Sequence, residues 1–126
     1  MQAFELDAHH RGILDTADRW ARAELAPLAA RMDDEEWWPE ALFPRLGEAG
    51  YLGITAPAEL GGAGMDLLAQ ALVLQAFARW NPAVALSWGA HDNLCANNLL
   101  RHGTAEQHAR WLPGLNAGRL VGALGL

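Results

Sequence analysis

Between Leu6 and Met32, apolar residues return at three- and four-residue spacing: Leu6, Ile13, Leu14, Ala17, Ala21, Leu25, Leu28 and Met32. That period gathers them on one side of a helix, predicted over about Asp7 to Met32. Pro27 falls inside the run. Its ring removes a backbone donor and crowds the preceding turn, so a kink or break is predicted near Ala26. The acidic run Asp33-Asp34-Glu35-Glu36 ends the pattern, and Trp37-Trp38-Pro39 leads into a second helix from about Glu40 to Ala49, closed by Gly50.

Tyr51 to Met65 reads as irregular, because Gly53, Pro57, Gly61, Gly62 and Gly64 punctuate any regular element there. Asp66 caps a third helix, Leu67 to Trp80, which is apolar on nearly every side and is therefore expected to be buried all round. Asn81-Pro82 opens a fourth helix that ends at Gly103. Thr104 and Gln107 have capping-box spacing, so a fifth helix starts there. It is predicted to reach Trp111 or Leu112, to be disturbed by Pro113 and to end by Gly118. Leu120 to Leu126 is short, apolar and rich in glycine, like the first strand of a further unit.

Composition supports this reading. Ala and Leu, strong helix formers, dominate, while the β-branched residues favoured in strands are scarce. The expected class is all-α, a bundle of about five helices, and 126 residues suffice for one domain. Nine basic against fifteen acidic residues give a net charge of −6, which argues against nucleic acid or an anionic membrane as partner. All the basic residues are Arg, a trait of GC-rich genomes. The most apolar stretch, Leu67 to Ala78, is broken by Gln70 and Gln75 and is too short to span a bilayer. Met1-Gln2-Ala3-Phe4-Glu5 has neither the basic start nor the apolar run of a leader. The expected setting is soluble and cytoplasmic, in a bacterium.

Candidate chemistry is sparse. His91 and Cys95 stand four apart on the fourth predicted helix, but a metal site needs further ligands from His102, His108 or a carboxylate, and Cys is more often a small buried hydrophobe. No metal site is expected. Ser87, the sole serine, lacks a nucleophile-elbow setting. Gly61-Gly62-Ala63-Gly64 lacks the spacing of a phosphate loop and reads as a tight turn. Trp37 and Trp38 suit either an interface anchor or ordinary packing. The fourth helix interleaves Leu86, Trp88, Leu94, Leu99 and Leu100 with Ser87, His91, Asp92, Asn93, Asn97 and Asn98, and thins at Gly89 and Ala90. Small residues beside large apolar ones leave room for a ligand or for another helix.

Four segments together resemble the N-terminal helical domain of the flavin-dependent acyl-CoA dehydrogenases. Pro44 to Ile54 (PRLGEAGYLGI) is similar to the second helix and the turn after it. Pro57 to Met65 (PAELGGAGM) resembles the P-x-E-x-G-G-x-G loop. Leu86 to Cys95 (LSWGAHDNLC) resembles the pocket helix, most of all in its isovaleryl-CoA dehydrogenase form. His102 to Pro113 resembles the G-x-x-x-Q…Y-L-P stretch, with Trp111 in place of the usual Tyr.

The resemblance implies a subunit of three parts, of which residues 1–118 are the N-terminal helical domain and 119–126 the start of a middle β-domain. It implies FAD, a homotetramer, and electron transfer to an electron-transfer flavoprotein. The implied reaction is α,β-dehydrogenation of an acyl-CoA thioester, with a carboxylate taking the α-proton and flavin the β-hydride. That carboxylate would lie beyond Leu126, so no catalytic residue is assigned here and the 126 residues alone are expected to be inactive. By motif position Leu86, Ser87, Ala90 and Leu94 match residues lining the acyl pocket, with Ala90 leaving room for a short or branched chain. Leu124 and Leu126 match the strand that approaches flavin through its backbone. The competing reading is a non-catalytic helical interaction module that keeps only the fold.

Overall fold

A computed structural model describes residues 4–126, so Met1-Gln2-Ala3, part of the start read above for a leader, lies outside the described residues. The elements are helices α1 (Ala8–Glu24), α2 (Ala26–Asp34), α3 (Leu42–Glu48), α4 (Leu67–Trp80) and α5 (Pro82–Gly89). A π-helical stretch (Ala90–Asn97), α6 (Asn98–His102) and α7 (Ala105–Asn116) follow. The domain is all-α. Among the described residues no helix is long and apolar enough to cross a membrane.

The break near Ala26 falls at Leu25, where α1 stops and Pro27 occupies the first turn of α2. The Leu25 carbonyl accepts from Asn81 Nδ2 at 3.0 Å, while Asn81 Oδ1 caps α5 through Val84 N–H. One buried asparagine therefore ties two helix junctions together. The helix predicted from Glu40 is shorter than expected, because Pro39 to Ala41 form a turn. Its end is as expected: Gly50 takes φ +80°, and Tyr51 N–H reaches back to Leu46 O at 2.9 Å.

Three expectations are corrected. α4 is buried on one side only, with Ala69, Val73, Ala76 and Phe77 inside and Leu67 and Leu74 exposed. α7 continues through Pro113 to Asn116, because burial of Leu112 and Leu115 holds the last turn despite the missing donor. Residues 120–126 form no strand: a strand needs a neighbour to pair with, and none of the described residues provides one.

The main core packs Ala17 and Ala21 of α1 and Leu25 of the α1–α2 junction with Val73 and Phe77 of α4, with Leu46 of α3 and Trp88 of α5 closing it. Phe77 lies edge-on to Trp88 at 5.4 Å and to Tyr51 at 5.3 Å, an arrangement that favours opposed aromatic edges and faces. Trp88 Nε1–H donates to Tyr51 O at 2.6 Å, so the ring is anchored as well as buried. A smaller cluster of Ala96, Leu112 and Leu115 joins α7 to the π-stretch. The acidic run is a solvated helix end, and Trp37 lies under the Arg31 guanidinium at 3.8 Å. Trp38 stacks on Phe43. Both tryptophans are thus packed against their own domain.

Candidate functional site: an apolar groove along the π-helical stretch

The outer faces of α4 and α5 enclose an open groove of about 570 Å³. Leu67, Ala71, Leu74 and Ala78 form one wall, four positions on a single side of α4. Leu86, Ala90 and Leu94 form the other, and Ala85, Trp88 and Gln70 lie beneath. Leu86 is 77% exposed, unusual for a leucine in a well-packed helix. Among the described residues, no Asp, Glu, His, Lys or Arg lines the groove. It suits an apolar chain and offers no group to move a proton.

Of the residues singled out in the sequence, Leu86, Ala90 and Leu94 come together here. Ser87 turns aside. It borders a second hollow of about 280 Å³ with Trp38, Phe43, Val121, Gly122 and Ala123, and Ala90 touches both spaces. Leu124 and Leu126 border neither. They are exposed, and among the described residues their backbone N–H and C=O groups have no partner.

The π-turns beneath the groove explain the odd polar residues of the fourth helix. π-turns are rare and tend to mark functional sites. Here consecutive His91 and Asp92 are both buried, and each serves a different neighbour. The Asp92 carboxylate accepts from Gly53 N–H at 2.5 Å, from Gln70 Nε2 at 2.9 Å and, more distantly, from Ile54 N–H. Burial pushes its pKa up, and these donors pull against that. The network fixes the glycine-rich loop to α4 and to the π-stretch. Sequence reasoning missed it, although Gln70, the buried one of the two glutamines in α4, was its signal.

The loop itself closes on backbone: Ala63 N–H and Ala56 N–H both reach Gly53 O, and Gly64 N–H reaches Ala56 O. Gly62 packs so tightly on Ala56 O that a Cβ has no space, and Gly53 faces the Asn116 side chain in the same way. The glycines serve close approach between elements, which is the turn reading sharpened. Burial lowers the His91 pKa, which favours the uncharged ring. Cys95 is a free thiol, and among the described residues no group of three His, Cys, Asp or Glu is placed to hold a metal ion.

The geometry is that of an all-helical domain with an open apolar groove over a π-turn and a glycine-packed loop. Its family follows from comparison with known proteins. Residues 7–119 match the model of the acyl-CoA dehydrogenase N-terminal domain, and the chain belongs to that family. It is 40% identical over 114 residues to mitochondrial isovaleryl-CoA dehydrogenase of Arabidopsis thaliana, covering 89% of this chain and 28% of that protein. It superposes on butyryl-CoA dehydrogenase from Megasphaera elsdenii with a TM-score of 0.84 at 26% identity, over 95% of this chain and 32% of that one. An acyl-CoA dehydrogenase from Bacillus anthracis complexed with FAD gives a TM-score of 0.85 at 28% identity, over 94% of this chain and 21% of that one. The chain thus spans about three tenths of the length of the curated relative.

Proposed function

We propose that this domain supplies one wall of the acyl pocket in a flavin-dependent acyl-CoA dehydrogenase acting on a short, branched acyl-CoA of the isovaleryl type. The observation that carries this is the groove. Ala90 sits between Leu86 and Leu94 where a larger side chain would fill the space, and the lining is wholly free of ionisable groups. Such a wall positions an apolar chain and excludes water while leaving proton transfer to a base held elsewhere. Domain residues 1–118 would carry the pocket, and 119–126 would lead into a β-domain.

The residues present fit FAD in one respect. The exposed main chain at Leu124 has no partner among the described residues and offers N–H and C=O groups to a polar ring edge, with Leu126 assigned beside it by motif position alone. FAD, when bound, supplies the two-electron acceptor. The chain's own part is to hold the acyl group through Leu86, Ala90 and Leu94 and to bring the segment after Val121 alongside, with Ser87 facing the space between. Electron-transfer flavoprotein as acceptor and a homo-oligomeric assembly complete the proposal. A bacterial cytoplasm is the setting we propose, and the Arg-only basic composition supports a GC-rich genome.

The test is to express the complete gene and assay flavin absorbance with isovaleryl-, butyryl- and longer acyl-CoA. A yellow protein preferring isovaleryl-CoA is expected. A stop codon directly after Leu126, with no flavin and no turnover, would replace the enzyme reading with that of a non-catalytic helical module.

A further inference from the structure

The His91 ring is completely buried. Its Nε2 lies 3.0 Å from the Leu115 carbonyl oxygen, which only accepts, so Nε2 carries the proton. Nδ1 is then a lone pair, and Gly122 N–H donates to it at 2.9 Å. Both ring nitrogens are spent on main chain, and Phe43 packs against the ring at a centroid distance of 4.8 Å. Gly122 also crosses the helix where a Cβ would collide with Cys95, so the backbone passes as close as a chain can.

We propose that His91 is a positioning residue whose imidazole holds the main chain at Gly122 against the pocket helix. It thereby sets where the segment running to Leu124 and Leu126 lies relative to the wall of Leu86, Ala90 and Leu94. The purpose of that alignment rests on the acyl-CoA dehydrogenase reading; the clamp itself does not. Its two bonds are separable. The Leu115 bond fastens the end of α7 and is structural, whereas the Gly122 bond orients the segment beyond.

Two substitutions divide them. In His91→Asn the side-chain oxygen takes the place of Nδ1 and accepts from Gly122 N–H. In His91→Gln the longer amide reaches the place of Nε2 and donates to Leu115 O. Amide exchange at Gly122, followed by NMR in the 126-residue chain, is expected to rise about tenfold in His91→Gln, the equivalent of one net hydrogen bond. It should stay near wild type in His91→Asn, relative to each variant's own thermal midpoint. Exchange that merely follows global stability in both variants, or is unchanged in His91→Gln, overturns the proposal. Should either variant fail to fold, imidazole ¹⁵N shifts of the unaltered chain decide: a bare Nδ1 coupled to the Gly122 amide supports the clamp, and a protonated Nδ1 overturns it. Failure of acyl-CoA turnover would remove the alignment's purpose and leave these readings intact.

Discussion

Two apolar faces of α4, built from the same kinds of residue, meet different surroundings. Val73 and Phe77 face α1 and the aromatic cluster and are sealed, whereas Leu67, Ala71, Leu74 and Ala78 face the groove and stay open. Hydrophobicity alone does not distinguish them. The difference is that one face meets α1 at small residues, Ala17 and Ala21, which let the helices approach, and the other meets a thinned helix with nothing over it. Stability resides on the first face, and the second is the one we propose for recognition.

The sharpest way to break this contrast is to cut into the sealed face. Phe77→Ala should cost about 3–5 kcal/mol, through lost burial and the cavity left behind, as read from urea unfolding. Asp92→Ala comes next. It strands the Gly53 and Ile54 amides and the Gln70 side chain in a dry interior, for about 3 kcal/mol in the same assay. Asp92→Asn, which keeps one accepting oxygen, should lose less.

On the open face Leu74→Ser should change stability by no more than about 0.5 kcal/mol. It should nevertheless lower binding of an apolar fluorescent dye to the chain. A stability loss approaching that of Phe77→Ala would mean the two faces do not differ.

The smallest effect is the dependence on pH. His10 sits with Nδ1 2.9 Å from Asp7 and Nε2 2.8 Å from Asp66, the caps of α1 and α4, and these carboxylates raise its pKa above the ordinary histidine value. The folded state then binds the proton more tightly than the unfolded one. This stabilisation is fully present below the unfolded pKa of 6.5 and is lost as pH rises through the raised folded value. Buried, neutral His91 has the opposite sign, since its lowered pKa makes stability fall as pH drops below 6.5. In His10→Gln the thermal midpoint should lose its decline on the alkaline side and keep that on the acid side.

Most of the fold was legible because its signals are local. Asp66, Asn81 and Thr104 each cap the helix that their spacing announced, and Pro27 marks the α1–α2 break to within two residues. What escaped depends on contacts distant in sequence. The open side of α4 cannot be read from a run of Ala and Leu, because burial is decided by which helices arrive. Pro113 inside α7 reflects the pull of Leu112 and Leu115 on a helix that propensity would have stopped. Of the candidate groove, the lining by Leu86, Ala90 and Leu94 was legible through the resemblance to a pocket helix. The π-turns were not, nor was the separation of Ser87 from the groove, because a change from i→i+4 to i→i+5 bonding leaves no local trace in residue type.

The measurement closest to the central claim is the acyl preference of the Ala90→Leu enzyme expressed from the complete gene. If the groove receives the acyl chain, kcat/KM for isovaleryl-CoA should fall about tenfold or more relative to butyryl-CoA, with the helical circular-dichroism spectrum unchanged. An equal fall for both substrates, or no change in either, would contradict the assignment of the groove as acyl wall.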